Sequence, residues 1–453
     1  MGNNKSARKN VDFVKNEITK LLEKGCISEV AEAPFVVNPL TVAYSRSNKP
    51  RLVLDCWHIN TCIHQFKYKF EDGSVVRELF AKGDHLFRYD LKGAYHHIEI
   101  LEEHRKFLGF SWNFENNEKY FVFNVHPFGL ASAGHIFTKV LKEAIKYWRN
   151  QGVKIIMYLD DGLGGANYFF SAERSSSYIR TSLSELGFLI AEDKCIWYPQ
   201  QDMIWIGLVW DMKSGKFRIS NERVDRLVNV IEKTLLHVRK DKVLYRAKFV
   251  AGIVGQIISM QAVFGSLVRL RTRELYTCIV LRASWKSLVA LTAPAIEELR
   301  FWINSVNQLN EKGNDLHESD LCDLEAFTDA SETGFEGYIV PNVDSLCAES
   351  VCDSIDLLTD CSLVAPSNSL NTVTGSWTKS ESGKSSTWRE LEAVSRTVKS
   401  SLTLLTNHGL KLNTDNKNVT SIVKNGSKKS DLQIIARELN TVCSENNIKI
   451  KAN

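Results

Sequence analysis

The sequence predicts an α+β protein, and three features of the apolar pattern support this fold class. Between residues 11 and 211, short strand-like apolar runs alternate with segments whose apolar residues recur at helical spacing. From residue 213 to about 315 the pattern is mostly helical, and a second strand-containing unit begins near residue 324. The length of 453 residues suits about three domains.

The predicted elements follow one another closely in the first part. Val11, Val14 and Ile18 lie on one face of a helix that Gly25 ends. Strands are predicted at 51–54, 85–91, 107–112, 119–125 and 203–211, and helices at 135–151 and 176–188. Residues 154–166 (KIIMYLDDGLGGA) read as two apolar strands around an acidic tip. Residues 341–375, rich in Ser, Asp and Asn, predict a long surface loop in the last unit.

Charge is distributed unevenly along the chain. Residues 213–286 carry sixteen lysine and arginine residues against five aspartate and glutamate residues, although the net charge of the whole protein is only +4. Such a basic segment is typical of proteins that bind a polyanion, because bound phosphates release their counterions. A solvated helix face is the alternative explanation.

Two segments bear on where in the cell the protein is located and whether it associates with a membrane. Residues 249–268 contain no charge over twenty positions, but their polar and small residues favour a buried helical segment of a soluble domain over a membrane span. The N-terminus, Met1-Gly2-Asn3-Asn4-Lys5-Ser6, matches the N-myristoylation pattern, for which chance is the alternative. Ten cysteines without a CxxC pair predict free thiols in a reducing compartment, the cytoplasm or the nucleus.

Three aspartates form the first candidate catalytic site. Asp160 and Asp161 occupy the tip of the apolar hairpin, where two adjacent carboxylates are costly without a nearby cation. Asp90 ends another predicted strand, and Tyr95 follows it by five residues. Carboxylates from two chain segments can hold the metal pair that assists an in-line phosphoryl displacement, and Mg²⁺ prefers oxygen ligands. A solvated turn is the alternative for the Asp-Asp pair alone.

Six motifs in order give residues 34 to 211 a resemblance to a reverse transcriptase. They are NKPRLVLD, DLKGAYHHI, HPFGLASAGHIFTK, YLDD, LGFLIAEDKC and WIGLVWD. Several segments, among them KPRLVLDCWHIN, KFLGFSW, PFGLASA, YLDDGLG and SSTWREL, look most like DIRS-type retrotransposons, which integrate with a tyrosine recombinase.

The resemblance implies a role for each matching residue. Metal ligands would be Asp90, the carbonyl of Leu91, Asp160 and Asp161, with Mg²⁺, or alternatively Mn²⁺, as the cofactor. Tyr95 would be the steric gate against ribonucleotides, and Arg51 would contact the triphosphate. Phe128, Gly129 and Lys194 complete the implied nucleotide-binding set. Taken singly, Tyr95 and Phe128 could be core aromatics, and Arg51 and Lys194 surface charges. Trp57 and Gly134 depart from the family pattern.

A second acidic set lies near the C-terminus. Asp329 in AFTDASETGFEGYIV, Glu390 in STWRELEAV and Asp415 in LKLNTDNKNV resemble the catalytic acids of RNase H, which bind two Mg²⁺. Each acid could instead cap a turn or a helix. For Glu390 the alternative is an ordinary acidic residue in the first turn of a helix. The family's fourth carboxylate has no match before the sequence ends at IKIKAN, so we expect a truncated unit of uncertain nuclease activity.

The sequence therefore predicts a right-hand polymerase followed by a truncated RNase H-like α/β domain. The predicted parts are an N-terminal segment (1–33), fingers and palm (34–212), a basic thumb and connection (213–318) and the RNase H-like domain (319–453). The resemblance implies an RNA-directed DNA polymerase from a retroelement polyprotein, with an RNA template, a DNA primer, an RNA–DNA hybrid and deoxynucleoside triphosphates as partners and no membrane span. The alternative is a catalytically inactive or domesticated fragment that binds nucleic acid.

Overall fold

The computed structural model describes residues 2–44, 48–64, 66–115, 117–238, 243–280, 282–317, 322–342 and 371–452. The chain forms two compact units, Met1–Lys216 and Phe217–Asn453. The predicted boundaries at residues 33 and 318 lie within these units and stay predictions. Most of the predicted surface loop, residues 343–370, lies outside the described residues.

Seven α-helices are described in the first unit. They are α1 (Lys5–Lys9), α2 (Val11–Glu23), α3 (Trp57–Cys62), α4 (Gly73–Leu79), α5 (Glu102–Arg105), α6 (Ala133–Asn150) and α7 (Phe169–Glu185). Helix α2 follows the predicted periodicity, since Val14 and Ile18 are buried. It ends just before Gly25, whose φ of 67° lies in the left-handed region that glycine adopts without strain.

The strands of the first unit form antiparallel sheets. They are β1 (Ile27–Val30), β2 (Leu40–Tyr44), β3 (Pro50–Leu54), β4 (His85–Asp90), β5 (Gly109–Phe114), β6 (Asn117–Phe123), β7 (Lys154–Tyr158), β8 (Asp161–Ala166), β9 (Ile196–Gln200), β10 (Asp202–Trp205) and β11 (Leu208–Asp211). One sheet has the order β1-β6-β5, β2 pairs with β3, and the central sheet has the order β7-β8-β4-β9.

Helices α6 and α7 cover the central sheet with one apolar face each. Phe137, Leu141, Ile145 and Trp148 of α6 recur at helical spacing, are buried, and pack with Ile179 and Leu183 of α7 and with sheet residues such as Phe87 and Ile155. Spacing of three and four residues keeps such side chains on one face of a helix. These helices thus support the central sheet, and the acidic hairpin turn lies at one end of its strands.

The prediction of one continuous strand at residues 203–211 is wrong. The segment forms a hairpin in which β10 pairs antiparallel with β11, with Trp205 opposite Leu208. Ile206 and Gly207 make the turn with φ values of 46° and 76°. Positive φ at both central residues matches the twist of a two-residue hairpin, and only the glycine adopts it without strain. The near-continuous apolar run masked this turn.

In the second unit, β12 (Lys216–Ile219) begins at the division and a helical part follows. Its elements are α8 (Asn221–Val238), β13 (Leu244–Arg246), α9 (Ala247–Ile258), α10 (Gln261–Phe264), α11 (Leu267–Leu270), α12 (Arg273–Val280), β14 (Leu288–Ala290), α13 (Ala293–Lys312) and β15 (Asn314–Asp315). The uncharged segment 249–268 thus spans three short helices with buried residues such as Val250, Ile257 and Val268. Among the described residues, none of the helices combines the length and apolarity needed to cross a membrane.

The rest of the second unit is an α/β layer structure. A sheet with the order β18-β17-β16-β19-β20 contains β16 (Leu324–Ala330), β17 (Gly334–Pro341), β18 (Asn371–Ser376), β19 (Gly409–Asn413) and β20 (Lys449–Ala452). β16 pairs antiparallel with β17 and parallel with β19. The helices are α14 (Lys379–Ser382), α15 (Ser386–Ser400), α16 (Leu402–Leu405), α17 (Lys417–Asn425) and α18 (Ser430–Glu445). Leu391 and Val394 of α15 and Leu439 of α18 are buried with the strand residues Ala326 and Leu412.

Candidate active sites

The acidic tip is a tight hairpin turn between β7 and β8. Tyr158 pairs with Asp161 across the hairpin, so that Leu159 and Asp160 form the two-residue turn. Leu159 has a φ of 57°, a left-handed conformation that leucine rarely adopts. Residues held in such sparsely populated conformations are concentrated at functional sites. The turn therefore presents Asp160 and Asp161 at the end of the central sheet.

The backbone brings Asp90 to the same sheet edge. β4 pairs antiparallel with β8, and Asp90 is opposite Asp161. The Leu91 N–H donates a hydrogen bond of 2.8 Å to the carbonyl of Asp160. Strand pairing therefore places the backbones of the three acids at one end of the central sheet. Within the described ranges, however, no three His, Cys, Asp or Glu side chains are grouped closely enough to hold a metal ion.

Burial and mutual repulsion disfavour the charged forms of two of these acids. Burial, the largest cause, raises the pKa of Asp161 to about 7, and the charges of Asp90 and Asp160 add to the increase. Arg88 and Lys194 act in the opposite direction. Burial also raises the pKa of Asp160, with Asp90 contributing. A cation bound here would stabilise the carboxylates that the protein alone destabilises.

Lys194 supplies a positive charge at this edge. Its ammonium donates a hydrogen bond of 2.8 Å to Oδ1 of Asp90, and this bond raises the pKa of the lysine. The position of Lys194 is fixed by the backbone, because the Ala191 N–H donates to the Asp90 carbonyl at 2.8 Å and the Lys194 N–H donates to the Ala191 carbonyl. Arg51, an exposed residue of β3, also lowers the pKa of Asp160 through its charge.

The glycines of β8 make room for aromatic rings of β4. A Cβ at Gly162 would lie 2.2 Å from the ring of Tyr89, and a Cβ at Gly164 would lie 2.3 Å from the ring of Phe87. Both rings are fully buried. The Gly-Leu-Gly-Gly run after the acidic pair therefore lets two strands close over large rings, and any side chain at Gly162 or Gly164 would push the strands apart.

Tyr95 and Phe128 lie close together near the acidic turn. Their ring centroids are 5.3 Å apart, and the pKa of Tyr95 is raised by burial and then by the charge of Asp160. Gly129 has a φ of 113°, and a Cβ there would lie 1.9 Å from the carbonyl oxygen of Leu54. Only glycine fits at this position. Strand β3 is thereby held against the Phe128–Gly129 turn, because the Leu54 N–H donates to the Phe128 carbonyl.

The sequence analysis missed a contact at one of the two departures from the family pattern. A Cβ at Gly134 would lie 2.8 Å from the hydroxyl of Tyr68 and 3.4 Å from the hydroxyl of Tyr95. Tyr68 belongs to a segment without regular secondary structure. The alternation of aromatic and lysine residues in FKYKF was the available signal. At the other departure, Trp57 is exposed with its ring centroid 4.6 Å from that of His58.

The second acidic set lies in the α/β part of the second unit. Asp329 lies in β16, Asp415 follows the parallel neighbour β19 by two residues, and a cavity of about 500 Å³ is lined by both. Glu390 is only 6% exposed, and its Oε2 has no hydrogen-bond partner among the described residues. Burial, the largest cause, together with the charges of Asp329 and Asp415 raises the pKa of Glu390 to about 7.

Glu390 does not lie in the first turn of its helix, as the alternative explanation for this residue requires. It is the fifth residue of α15, whose first turn contains no acidic residue and whose N-terminus is capped by Ser385. Interaction with the helix dipole falls off within the first turn, so the first-turn explanation for this glutamate is wrong. A buried, unpaired carboxyl oxygen beside two further acids is instead the arrangement expected of a cation site.

Comparison with known proteins adds an independent result for the first unit. Residues 45–210 match the reverse transcriptase (RNA-dependent DNA polymerase) family model. The matched segment contains Asp90, Asp160, Asp161 and Lys194, together with Arg51, Tyr95 and Phe128. It also contains the whole central sheet.

Curated relatives are Pol polyproteins. The Pol polyprotein of equine infectious anemia virus (isolate CL22) is 25% identical over 228 residues, which cover 49% of this chain and 20% of that protein. The retrovirus-related Pol polyprotein from transposon gypsy of Drosophila melanogaster is 30% identical over 208 residues, covering 40% of this chain and 19% of that protein. The chain thus spans about a fifth of the length of these relatives, and they place the matched segment among retroelement sequences.

Solved structures establish the fold. The foamy viral protease-reverse transcriptase dRH in complex with double-stranded DNA aligns with a TM-score of 0.58 at 13% identity, covering 99% of this chain and 70% of that one. The foamy viral protease-reverse transcriptase in complex with RNA/DNA hybrid aligns with a TM-score of 0.57 at 12% identity, covering 100% of this chain and 54% of that one. The predicted fold class is confirmed.

Proposed function

We propose that this chain is an RNA-directed DNA polymerase, encoded within a retroelement polyprotein. Its reaction would add deoxynucleotides to a DNA primer on an RNA template and release pyrophosphate. The observation that carries the proposal is the convergence of Asp90, Asp160 and Asp161 at one sheet edge, through β4–β8 pairing and the Leu91 to Asp160 hydrogen bond. This convergence lies inside the segment that matches the reverse transcriptase model.

Mg²⁺ is the cofactor that these donors suit, with Mn²⁺ as an alternative. Carboxylate and carbonyl oxygens are hard ligands, and the raised pKa values of Asp160 and Asp161 indicate a surplus of buried negative charge. Asp90, Asp160, Asp161 and the Leu91 carbonyl would hold the metal ions. When bound, two divalent ions stabilise the charge that develops on the attacking and leaving oxygens of an in-line displacement.

The protein's own residues would position the nucleotide. Tyr95 would close the sugar side of the pocket, since its ring packs against Phe128 and its electrostatic environment includes Asp160. Arg51, whose charge also reaches Asp160, suits the bidentate binding of phosphate oxygens. Lys194 would supply a proton to the leaving pyrophosphate, because its ammonium already lies at the acidic edge.

Nucleic-acid partners follow from charge and from the related structures. The basic segment 213–286 carries sixteen lysine and arginine residues against five acidic ones, a balance that suits the phosphate backbone of a duplex. The related foamy viral structures contain double-stranded DNA or RNA/DNA hybrid in complex with that protein. We propose that the present chain holds the same classes of duplex, by backbone and shape.

The second acidic set would be an RNase H site. Asp329, Glu390 and Asp415 would bind Mg²⁺ beside the cavity that Asp329 and Asp415 line, and the unpaired Oε2 of Glu390 supports that assignment. The ions, when bound, would activate water for cleavage of the RNA strand in a hybrid. We also propose a DIRS-type origin, an intracellular location and N-myristoylation at Gly2, each on the sequence patterns alone.

A primer-extension assay distinguishes an active polymerase from a fragment that only binds nucleic acid. Purified protein with a DNA primer, an RNA template, Mg²⁺ and deoxynucleoside triphosphates should extend the primer, and Asp160→Asn should abolish extension while duplex binding persists. The alternative is a fragment that binds nucleic acid without catalysis. Duplex binding without extension by the parent protein would establish that alternative. RNA release from a labelled hybrid, with Glu390→Gln as its control, tests the second site.

A further inference from the structure

A row of aromatic side chains leads to the acidic turn. The aromatic row comprises His64, Phe66, Tyr68 and Phe70 of a segment without regular secondary structure, His135 of α6 and Tyr158 of β7. In the sequence of this segment, every second residue from His64 to Phe70 is aromatic. The row therefore arises from local sequence together with two residues supplied by neighbouring elements.

The rings contact one another in sequence. Phe66 stacks on His135 with a centroid distance of 4.8 Å and an interplanar angle of 16°. Tyr68 lies 5.0 Å from His135 and 4.9 Å from Phe70, and Phe70 lies 5.2 Å from Tyr158. These distances are those of favourable aromatic pairs. Because Tyr158 pairs with Asp161, the row ends at the candidate polymerase site.

Three rings of the row are exposed to solvent, and Phe70, His135 and Tyr158 are half-buried. Phe66 is 55% exposed, and His64, Lys67, Tyr68 and Lys69 are exposed as well. Single exposed apolar residues are ordinary, but a continuous exposed row is typical of a binding surface. The row is not needed to bury a core, since Phe66 and Tyr68 lie outside the buried clusters of the first unit.

Lysines alternate with the aromatic residues. Lys67 lies between Phe66 and Tyr68, and Lys69 between Tyr68 and Phe70. In the part of the chain that the structure describes, the ammonium of Lys67 forms neither a hydrogen bond nor an ion pair. Aromatic faces that accept bases, interleaved with cations that meet phosphates, are the features of surfaces that bind single-stranded nucleic acid.

We propose that the aromatic row is a stacking surface for the unpaired template strand ahead of the candidate polymerase site. This inference rests on the proposed polymerase function, which is what makes a template strand the occupant. Bases of the strand would stack on Phe66 and Tyr68, and the lysines would neutralise its phosphates. Stacking tolerates any base, as a template-reading enzyme requires, and accepts RNA and DNA strands alike.

The test measures binding without catalysis. The full chain is titrated against a fluorescent primer–template duplex whose 5′ template overhang has about ten nucleotides, the scale of a single-strand binding site. A blunt duplex of the same sequence serves as the reference, and metal and nucleotides are omitted. RNA and DNA overhangs are compared. The parent protein should bind the overhang duplex more tightly than the blunt duplex, with either kind of overhang.

Phe66→Ala should weaken binding of the overhang duplex by about 5- to 150-fold, the range measured for loss of one base stack. Binding of the blunt duplex and the thermal unfolding temperature should not change. Phe66→Tyr should restore the affinity because it retains a ring. Tyr198→Ala is the matched control, since Tyr198 is 66% exposed in the same unit and its ring contact is with Phe169.

Unchanged overhang binding by Phe66→Ala, or equal weakening with both duplexes, would overturn the inference. An overhang effect confined to RNA would overturn it too, because stacking does not distinguish the two sugars. Primer extension is scored separately with the parent protein. If the parent protein binds the overhang specifically but does not extend the primer, the polymerase proposal is rejected. If the Phe66→Ala protein extends the primer normally and binds the overhang as tightly as the parent protein, the stacking surface is rejected.

Discussion

The ammonium of Lys194 donates a hydrogen bond of 2.8 Å to Oδ1 of Asp90, and it links the end of β4 to the turn that precedes β9. The lysine is itself held through the Asp90–Ala191–Lys194 backbone hydrogen bonds. The positive charge is therefore fixed beside three acids, two of which have raised pKa values. A charge placed so firmly can serve as a proton donor and as a counter-ion.

Replacing Lys194 with Met should slow nucleotide incorporation by about 10²-fold or more, the usual effect of removing a positioned acid. The measurement is single-nucleotide incorporation under single-turnover conditions. Lys92→Met is the control, because Lys92 is an exposed lysine near the same strand end. Parental rates for Lys194→Met, or equal losses in the two variants, would contradict a specific role for this ammonium.

Glu298 should make stability depend on pH. It is fully buried in α13, and its carboxylate accepts the backbone N–H groups of Glu274 and Leu275 at the start of α12. Burial raises its pKa from 4.5 to about 7, opposed by these hydrogen bonds and by Arg437. Between these values the folded protein retains a proton that the unfolded chain has lost. The free energy of unfolding should therefore decrease by about 2–3 kcal/mol from pH 4.5 to 7, then level off.

Urea denaturation of Glu298→Gln tests this dependence. The amide stays neutral and keeps an acceptor, so the variant should equal the parent at pH 4 and exceed it in stability at pH 8. Glu298→Ala should be less stable than the parent at pH 4, because two helix N–H groups lose their acceptor. A constant stability difference between Glu298→Gln and the parent at all pH values would show that Glu298 is not the titrating group.

Gly134 and Tyr68 should be energetically coupled. A Cβ at position 134 would lie 2.8 Å from the Tyr68 hydroxyl, so this hydroxyl must move in Gly134→Ala, and its displacement should offset the gain from the better helix propensity of alanine. Tyr68→Phe removes the obstructing oxygen. In that background Gly134→Ala should be neutral or stabilising, with a coupling of about 1 kcal/mol or more. Equal costs of Gly134→Ala in both backgrounds, measured by chemical denaturation, would disprove the coupling.

Divalent cations should stabilise the second unit through Glu390. Addition of Mg²⁺ or Mn²⁺ should raise its unfolding temperature, because a ligand that binds only the folded state stabilises it. Glu390→Gln should reduce this increase while leaving the fold intact, since the amide fills the same space without the charge. Glu392→Gln is the control, as Glu392 lies on the same helix and pairs with Arg396. An identical metal response in Glu390→Gln and the parent would exclude Glu390 as a ligand.

Local patterns predicted the strands that carry the acids. The apolar runs around Asp90 and around Asp160 and Asp161 specify β4, β7 and β8, and antiparallel pairing brings their ends together. The fold class was predicted for the same reason, because strand and helix periodicities are local properties of the chain. Residue roles at these sites stay predictions until the experiments above are performed.

Features that depend on distant contacts were not predictable. Nothing near Tyr68 in the sequence indicates its approach to Gly134, and Glu298 caps a helix that begins more than twenty positions earlier. The β10–β11 turn was missed because Ile206 adopts a positive φ that its residue type disfavours. In each case packing across the fold overrides the local preference.

The close fit of Phe87 and Tyr89 against the glycines of β8 limits which substitutions the central sheet can accept next to the candidate polymerase site. A larger residue in β8 has no space unless the opposing ring shrinks in the same step, so single changes there meet a barrier that paired changes avoid. Phe87→Leu combined with Gly164→Ala exchanges volume across the two strands. Such paired substitutions offer a route to change the packing between β4 and β8 beside the candidate polymerase site while both strands stay in register.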